Sequence, residues 1–531
     1  AATTGGTLER THGEAEFVAQ EEMQRFTGYW WAPDSRSLAY EEADYAGVEV
    51  WNIADPLSPE QTPLRQYYPR PGHKNVAVRL GVVTLGKPGT TWVDWDHRRY
   101  EYLAAVTWSK FGPLTLQLQD RAQHELDFYR ADPSGATHLL LQQHNPAWVN
   151  IFENLPVWLP DGKRFVCVLE VGGHERVCLV DGQVKTVLGP SDELNAVVGV
   201  DVKRGVVYAL SSSSPGTENV RVLSWDGPLP APKGNVSALA FARGHRALAL
   251  TLQSMHALPV IKVGSLTLPS VAVEPELKLH VQFVALTGLN AAVVRPRDFD
   301  PHKRYPVIVK VYGGPHHLEV VRSKGSWLVD QWLANQGFVV VSVDNRGTPG
   351  RGRAFETSVY GKFGSVPLDD QVEGLQELGR RFPELDLTRV GITGWSFGGY
   401  MSALAVLKRP DIFKAAVAGA PVTDWEDYDS HYTERYLGTL PEHRADYDAA
   451  SLIPMAKDLS RPLLLVHGTA DDNVYYRHSL KLSQALLRAG KPFELMSLPG
   501  ITHLYTHDSV MTERVWFRAA TFFRAHLGSP Q

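Results

Sequence analysis

The chain is poor in several features that would have set its class at once. Only two cysteines occur in 531 residues, Cys167 and Cys178. They flank a hairpin turn at Gly172-Gly173 and read as buried reduced thiols, since a cross-strand disulfide would need a favourable pair geometry. Long apolar runs are missing: stretches such as Phe338 to Val341 are far too short to span a bilayer, so no membrane span is expected. Positive charge is not in excess. The formal charge is −5 with a pI near 6.5, and no basic stripe stands out, which argues against nucleic acid or an anionic membrane as partner. The twenty histidines show no ligand spacing with cysteines or carboxylates, so no metal site is expected. No signal peptide is visible, and the sequence opens on Ala1 rather than Met. The start is therefore expected to have been removed, and the compartment (periplasmic, secreted or cytoplasmic) stays open.

What is present divides the chain in two, as its length demands. Residues 1–275 carry short β-rich runs separated by turn chemistry, and a phrase recurs. Trp31-Ala-Pro-Asp-Ser-Arg-Ser-Leu-Ala-Tyr40 resembles Trp158-Leu-Pro-Asp-Gly-Lys-Arg-Phe-Val-Cys167, with looser echoes at Val200 to Tyr208 and Phe241 to Ala249. A spacing of roughly 40–50 residues with four-strand content points to β-propeller blades, Ig-like sandwiches being the competing reading. Only four or five blade-like stretches can be counted. An open propeller would expose sheet edges, so N-terminal blades are expected to be absent from this chain, cleaved yet still bound, or never made with it. Residues 276–531 instead alternate apolar strands with helical stretches, the rhythm of a doubly wound, mostly parallel sheet. The linker is placed near Glu276 to Val281.

The second half also carries the chemistry. Gly394-Trp-Ser-Phe-Gly398 follows a short apolar strand and opens a helix, the setting in which a G-x-S-x-G sequence presents a nucleophile. Two later strand ends supply Asp471, after Pro462 to Val466, and His503, after Phe493 to Leu498. The order Ser…Asp…His is that of an α/β-hydrolase, and all three sit at carboxyl ends of strands. A serine hydroxyl is a weak nucleophile at neutral pH. His503 must take its proton, and Asp471 must fix the imidazole's tautomer and stabilise the cation. Asp472 and His507 are neighbouring duplicates; Asp471 and His503 are preferred because each comes first after its strand. The backbone N–H of Phe397, next to the nucleophile, is one oxyanion donor.

Several segments together resemble the dipeptidyl peptidase IV group of the prolyl oligopeptidase family. They are Gln20-Glu-Glu-Met23 followed by Gly28-Tyr-Trp-Trp31; Tyr68 to Asn75; Gly394 to Tyr400; Pro421 to Tyr436; and His467-Gly-Thr-Ala-Asp-Asp-Asn-Val474. The resemblance spans the chain. It implies a serine exopeptidase that releases N-terminal dipeptides after proline or alanine, needs no cofactor, and dimerises through its hydrolase domain. Glu21 and Glu22 would then grip the substrate's free ammonium, a cation two residues from the scissile bond. Val422, Trp425, Tyr428, Tyr432 and Val474 would form the apolar pocket for the proline ring. Asn473 would meet the substrate carbonyl, and the Tyr312 phenol would be the second oxyanion donor. Arg435 and Asp429 would orient the pocket tyrosines and the glutamates, or form a structural ion pair. An arginine for the substrate carbonyl is implied upstream of the double-glutamate segment, in the part expected to be absent from this chain. Two other readings are carried: an acylaminoacyl peptidase or prolyl endopeptidase on the same scaffold, and an inactive interaction protein.

Overall fold

The recurring phrase of the first half is a tight turn between two strands. Tyr29–Trp31 turns into Ser37–Asp44, and Val157–Trp158 into Arg164–Val171. The aspartate at each turn accepts from backbone amides, Asp34 from Arg36 at 2.9 Å and Asp161 from Lys163 and Arg164 at 2.9 and 3.0 Å. The residue after it, Ser35 or Gly162, has positive φ. This is aspartate turn chemistry, which is why the phrase was readable. The structure, a computed structural model, describes residues 3–530 apart from 56, 153, 190–192, 215, 227–229, 231–232 and 243–246. The middle of the echo at Phe241 to Ala249 therefore lies outside the described residues.

Among the described residues the first half forms five antiparallel sheets of three to five strands, in chain order, and one hairpin, Val50–Ile53 with Leu64–Tyr67. Each sheet packs on the next. Cys167 and Leu169 face Phe128 and Leu141 of the preceding sheet, while Val166 and Val168 face Val207 and Ala209 of the following one. Period-2 alternation along one strand thus buries both faces between neighbours, as propeller blades require and a two-sheet sandwich does not. Cys167 and Cys178 are direct cross-strand partners, both free thiols. Burial raises both, Cys178 to about 11, which makes them unreactive.

The second half holds one eight-stranded sheet. Its strands are β1 (Val281–Ala285), β2 (Asn290–Val294), β3 (Tyr305–Lys310), β4 (Val339–Asp344), β5 (Leu385–Trp395), β6 (Phe413–Gly419), β7 (Leu463–Gly468) and β8 (Glu494–Leu498). The order is β1-β2-β4-β3-β5-β6-β7-β8, antiparallel at β1–β2 and β2–β4 and parallel thereafter. Val307 and Val309 enter one core and Ile308 the other, so the sheet is covered on both faces. No helix of the described residues is long and apolar enough to cross a membrane.

A short helix, Ser430–Leu437, joins the two halves. Arg121 of the propeller clamps the buried Glu434 at 2.7 and 2.9 Å, the Ser430 hydroxyl meets Asn75 at 2.6 Å, and Gln123 donates to the His431 carbonyl at 2.5 Å. A cavity of about 1020 Å³ lies between the halves, and residues of both line it.

Candidate active site

Ser396 sits between β5 and a helix, Phe397–Lys408, with φ 60° and ψ −118°. Its amide donates to the Gly419 carbonyl at 2.9 Å. A non-glycine residue at that φ is strained, and the surroundings must hold it there. They do so by close backbone packing: a Cβ on Gly398 would lie 2.2 Å from the Val311 carbonyl oxygen, and one on Gly399 2.0 Å from that of Gly419. The glycines after Ser396 are therefore required for contact. Ser396 lines the cavity, and so does His503.

His503 Nδ1 lies 2.8 Å from Asp471 Oδ2. Asp471 is buried and well served: Oδ1 accepts from the amides of Asn473 and Val474 at 3.0 and 2.9 Å. Burial alone would raise its pKa, yet the charge of His503 and the hydrogen bonds from His467 and His503 hold it at about 2. Burial pushes His503 down, but the Asp471 carboxylate outweighs it and carries the imidazole above its ordinary value. A buried, ionised carboxylate on Nδ1 is the arrangement that stabilises an imidazolium. The duplicates Asp472 and His507 are both exposed.

Phe397 opens its helix, so its amide has no partner within the helix and is free to donate at the Ser396 end. Its ring is buried against Trp425, 5.6 Å between centroids. Tyr312 also lines the cavity, its ring 6.0 Å from that of Phe397 and 4.8 Å from His317. Burial, reinforced by the charge of Glu22, pushes the Tyr312 phenol well up, so it keeps its proton and can donate.

On the propeller side, Glu21 ends the five-residue helix Phe17–Glu21 and Glu22 caps it. So short a helix needs outside support. Glu16 provides it, its carboxylate accepting from the amides of Val18 and Ala19 at 2.8 and 2.9 Å. The Glu16 amide is bound to Glu41 at 3.2 Å, and Glu41 pairs with Arg25 beyond the helix. Glu21 and Glu22 both line the cavity that Ser396 lines. Burial raises Glu21, and it raises Glu22 further, with the nearby charges of Asp429 and Glu21 adding. Asp429, raised by burial to about 7, is the N-cap of Ser430–Leu437, and it accepts from the Tyr432 amide at 2.9 Å. The Glu22–Asp429 pair therefore retains a proton near neutrality, which an arriving cation would displace.

Asn473 connects the two sides. Its amide nitrogen donates to Glu21, its amide oxygen accepts from the Tyr428 hydroxyl at 2.8 Å, and its carbonyl accepts from Tyr68 at 3.0 Å. Tyr428 and Tyr432 line the cavity. Trp425, Val422 and Val474 lie buried behind them in one cluster, with Trp425 stacked on Tyr432 at 6.0 Å. The aromatic floor is thus two layers deep, and only the tyrosines are at its surface. Arg435 lines the same cavity but pairs with no carboxylate within 4 Å among the described residues. Its guanidinium donates to Asn150 at 2.5 Å and to Gln123 at 3.4 Å, and Nε has no partner. Asn150, Glu175, Glu356 and His316 also line the cavity and were not singled out from the sequence. Asn150 and His316 sit in loops, Glu175 in a blade strand and Glu356 in the short helix Arg353–Thr357, none with a local motif.

Fold and site together define a serine hydrolase whose active-site cavity is roofed by a propeller. Two family models match the chain: the dipeptidyl peptidase IV N-terminal region over residues 1–240, and the prolyl oligopeptidase family over residues 326–530. Human dipeptidyl peptidase 8 is 29% identical over 93% of this chain and 67% of that protein. Venom dipeptidyl peptidase 4 of Vespula vulgaris is 26% identical over 97% of this chain and 74% of its own. The crystal structure of Porphyromonas gingivalis dipeptidyl peptidase 4 matches with a TM-score of 0.88 at 26% identity, covering 99% of this chain and 78% of that one. The chain belongs to the dipeptidyl peptidase IV group of the prolyl oligopeptidase family of serine peptidases.

Proposed function

We propose that this protein is a serine exopeptidase that removes dipeptides from peptides with a free N-terminus and proline, or alanine, in second position. One observation carries the reading: Glu21 and Glu22 share a cavity with Ser396, and Asn473 ties Glu21 to the turn that holds Asp471. An ammonium held by the two carboxylates fixes how far the chain reaches before it meets the serine. Tyr428 and Tyr432 then receive the ring of the second residue.

Ser396 Oγ attacks the scissile carbonyl while His503 takes its proton and Asp471 steadies the imidazolium. The resulting oxyanion lies on the Phe397 amide and the Tyr312 phenol. Collapse breaks the C–N bond, the leaving amine takes the proton from His503, and a dipeptidyl ester remains on Ser396. Water, deprotonated by His503, then releases the dipeptide and restores the serine. Arg435 and Asp429 act by holding the floor and Glu22.

The test is hydrolysis of Gly-Pro and Ala-Pro chromogenic amides against their N-acetylated forms. The free forms are expected to be cleaved with kcat/KM at least about a hundredfold higher, as two charge-assisted hydrogen bonds would give. A preference for acetylated substrates would assign the site to an acylaminoacyl peptidase or endopeptidase instead.

A further inference from the structure

Asp471 has a fourth hydrogen-bond partner that the triad does not include. His467, fully buried at the end of β7, places Nε2 3.2 Å from Asp471 Oδ2 and 2.7 Å from the Val474 carbonyl oxygen. Both neighbours are acceptors, so Nε2 must carry the hydrogen. Nδ1, 2.8 Å from the Ser479 hydroxyl on the helix Arg477–Arg488, is then the acceptor of that hydroxyl. The network itself assigns the tautomer, and Ser479 holds it.

The consequence is mechanical and electrostatic at once. The turn from Asp471 to Val474 is closed internally by the Asn473 and Val474 amides on Oδ1. His467 pins that closed turn to β7 from below. Asn473 rides on the same turn, with its amide against Glu21 and Tyr428. A shift of the turn would therefore move the acid of the triad and the substrate-side amide together. Each donor on Oδ2 also draws off carboxylate charge that would otherwise act on His503.

We propose that His467 is a positioning residue that fixes the Asp471–Val474 turn and moderates the basicity of His503, coupling the triad to the substrate clamp. The inference rests on the triad reading above. Facing His503 are the carboxylates of Glu21, Asp471 and Asp472. Facing His467 are the Tyr476 ring at 5.4 Å and His478, and Tyr475 lies near Asp471. None of these supplies a hydrogen bond to Asp471 Oδ2 that would replace the one from His467.

The experiment measures the rate of Ser396 labelling by a fluorophosphonate as a function of pH, with kcat and KM for an Ala-Pro anilide alongside. The variants are His467→Leu, His467→Gln and His467→Asn. Loss of the donor leaves Asp471 a stronger partner for His503. In His467→Leu the acid limb should thus move to higher pH by about half a unit or more, with the plateau rate about tenfold lower. KM should rise as well, because Asn473 loses its support. Glutamine can present an amide hydrogen where Nε2–H stood, and should return the limb to within about 0.2 units of the wild type. Asparagine reaches the Ser479 side and not Asp471, so it serves as the second donor-less variant if leucine does not fold. An unshifted limb in both donor-less variants, or a glutamine variant indistinguishable from them, overturns the proposal. Wild-type chain that is unlabelled at every pH overturns the triad reading and this inference with it.

Discussion

The two walls of the cavity are built on opposite principles. On the hydrolase wall, Ser396, Asp471 and His503 stand at strand ends of a sheet buried on both faces, held by backbone hydrogen bonds and contacts that only glycine permits. Their electrostatics are set by fixed partners: Asp471 is held charged, and its carboxylate carries the His503 imidazole above its ordinary value. On the propeller wall, Glu21 and Glu22 hang from a five-residue helix braced by buried hydrogen bonds through Glu16 to Glu41, which in turn pairs with Arg25. Their charge is unsettled, because burial and mutual repulsion keep a proton among Glu22 and Asp429. One wall is preorganised for bond-making. On the proposed reading, the other is completed by the substrate's ammonium.

Substitutions should separate the walls, and the largest effect falls on the rigid one. Ser396→Ala should lower kcat by about a millionfold and abolish fluorophosphonate labelling, with thermal stability unchanged. Tyr312→Phe should lower kcat by roughly a hundredfold or more and leave KM near wild type, since the donor acts on charge present only in the transition state. A change confined to KM would place Tyr312 on the binding wall instead.

The clamp should respond in binding. Glu22→Gln should lower kcat/KM for free dipeptidyl amides by roughly 10- to 100-fold and leave acetylated substrates unaffected. Equal losses on both substrates would mean that Glu22 supports the fold rather than the ammonium. The unsettled proton adds a pH signature. Asp429, raised to about 7, is neutral below that value and ionised above it. KM should therefore fall as pH rises through about 7, until the substrate's own ammonium deprotonates near pH 8. An acetylated substrate should show no such slope. The smallest effect is expected at Glu16→Ala, which removes the helix cap. It should cost about 1 kcal/mol of stability, read by denaturant unfolding, and raise KM a few-fold with kcat nearly unchanged.

The same division decided what could be read from the chain. The Ser396 wall was legible because each part has a local signature: a strand, a glycine-flanked serine, and an acid and a base that follow later strands in order. The blades were legible through the aspartate turns after Trp31 and Trp158. The antiparallel strands β1 and β2 were not anticipated, since segments of only five residues carry little periodicity. The double glutamate was noticed only through resemblance, because a Glu-Glu pair on a helix is ordinary. Its partner lies far along the chain, Asn473 being 452 residues from Glu21, and the Arg435–Asn150 contact of the same cavity likewise spans 285 residues. His467 stood inside a quoted motif, yet its part depends on the Val474 carbonyl and the Ser479 hydroxyl, which only the folded turn brings to it.

The most direct measurement is a crystal structure of Ser396→Ala soaked with Ala-Pro-Ala. The ammonium should lie between Glu21 and Glu22, the proline ring on Tyr428 and Tyr432, and the second carbonyl carbon over position 396 with its oxygen toward Tyr312. A peptide bound with its amino end away from both glutamates would contradict the account.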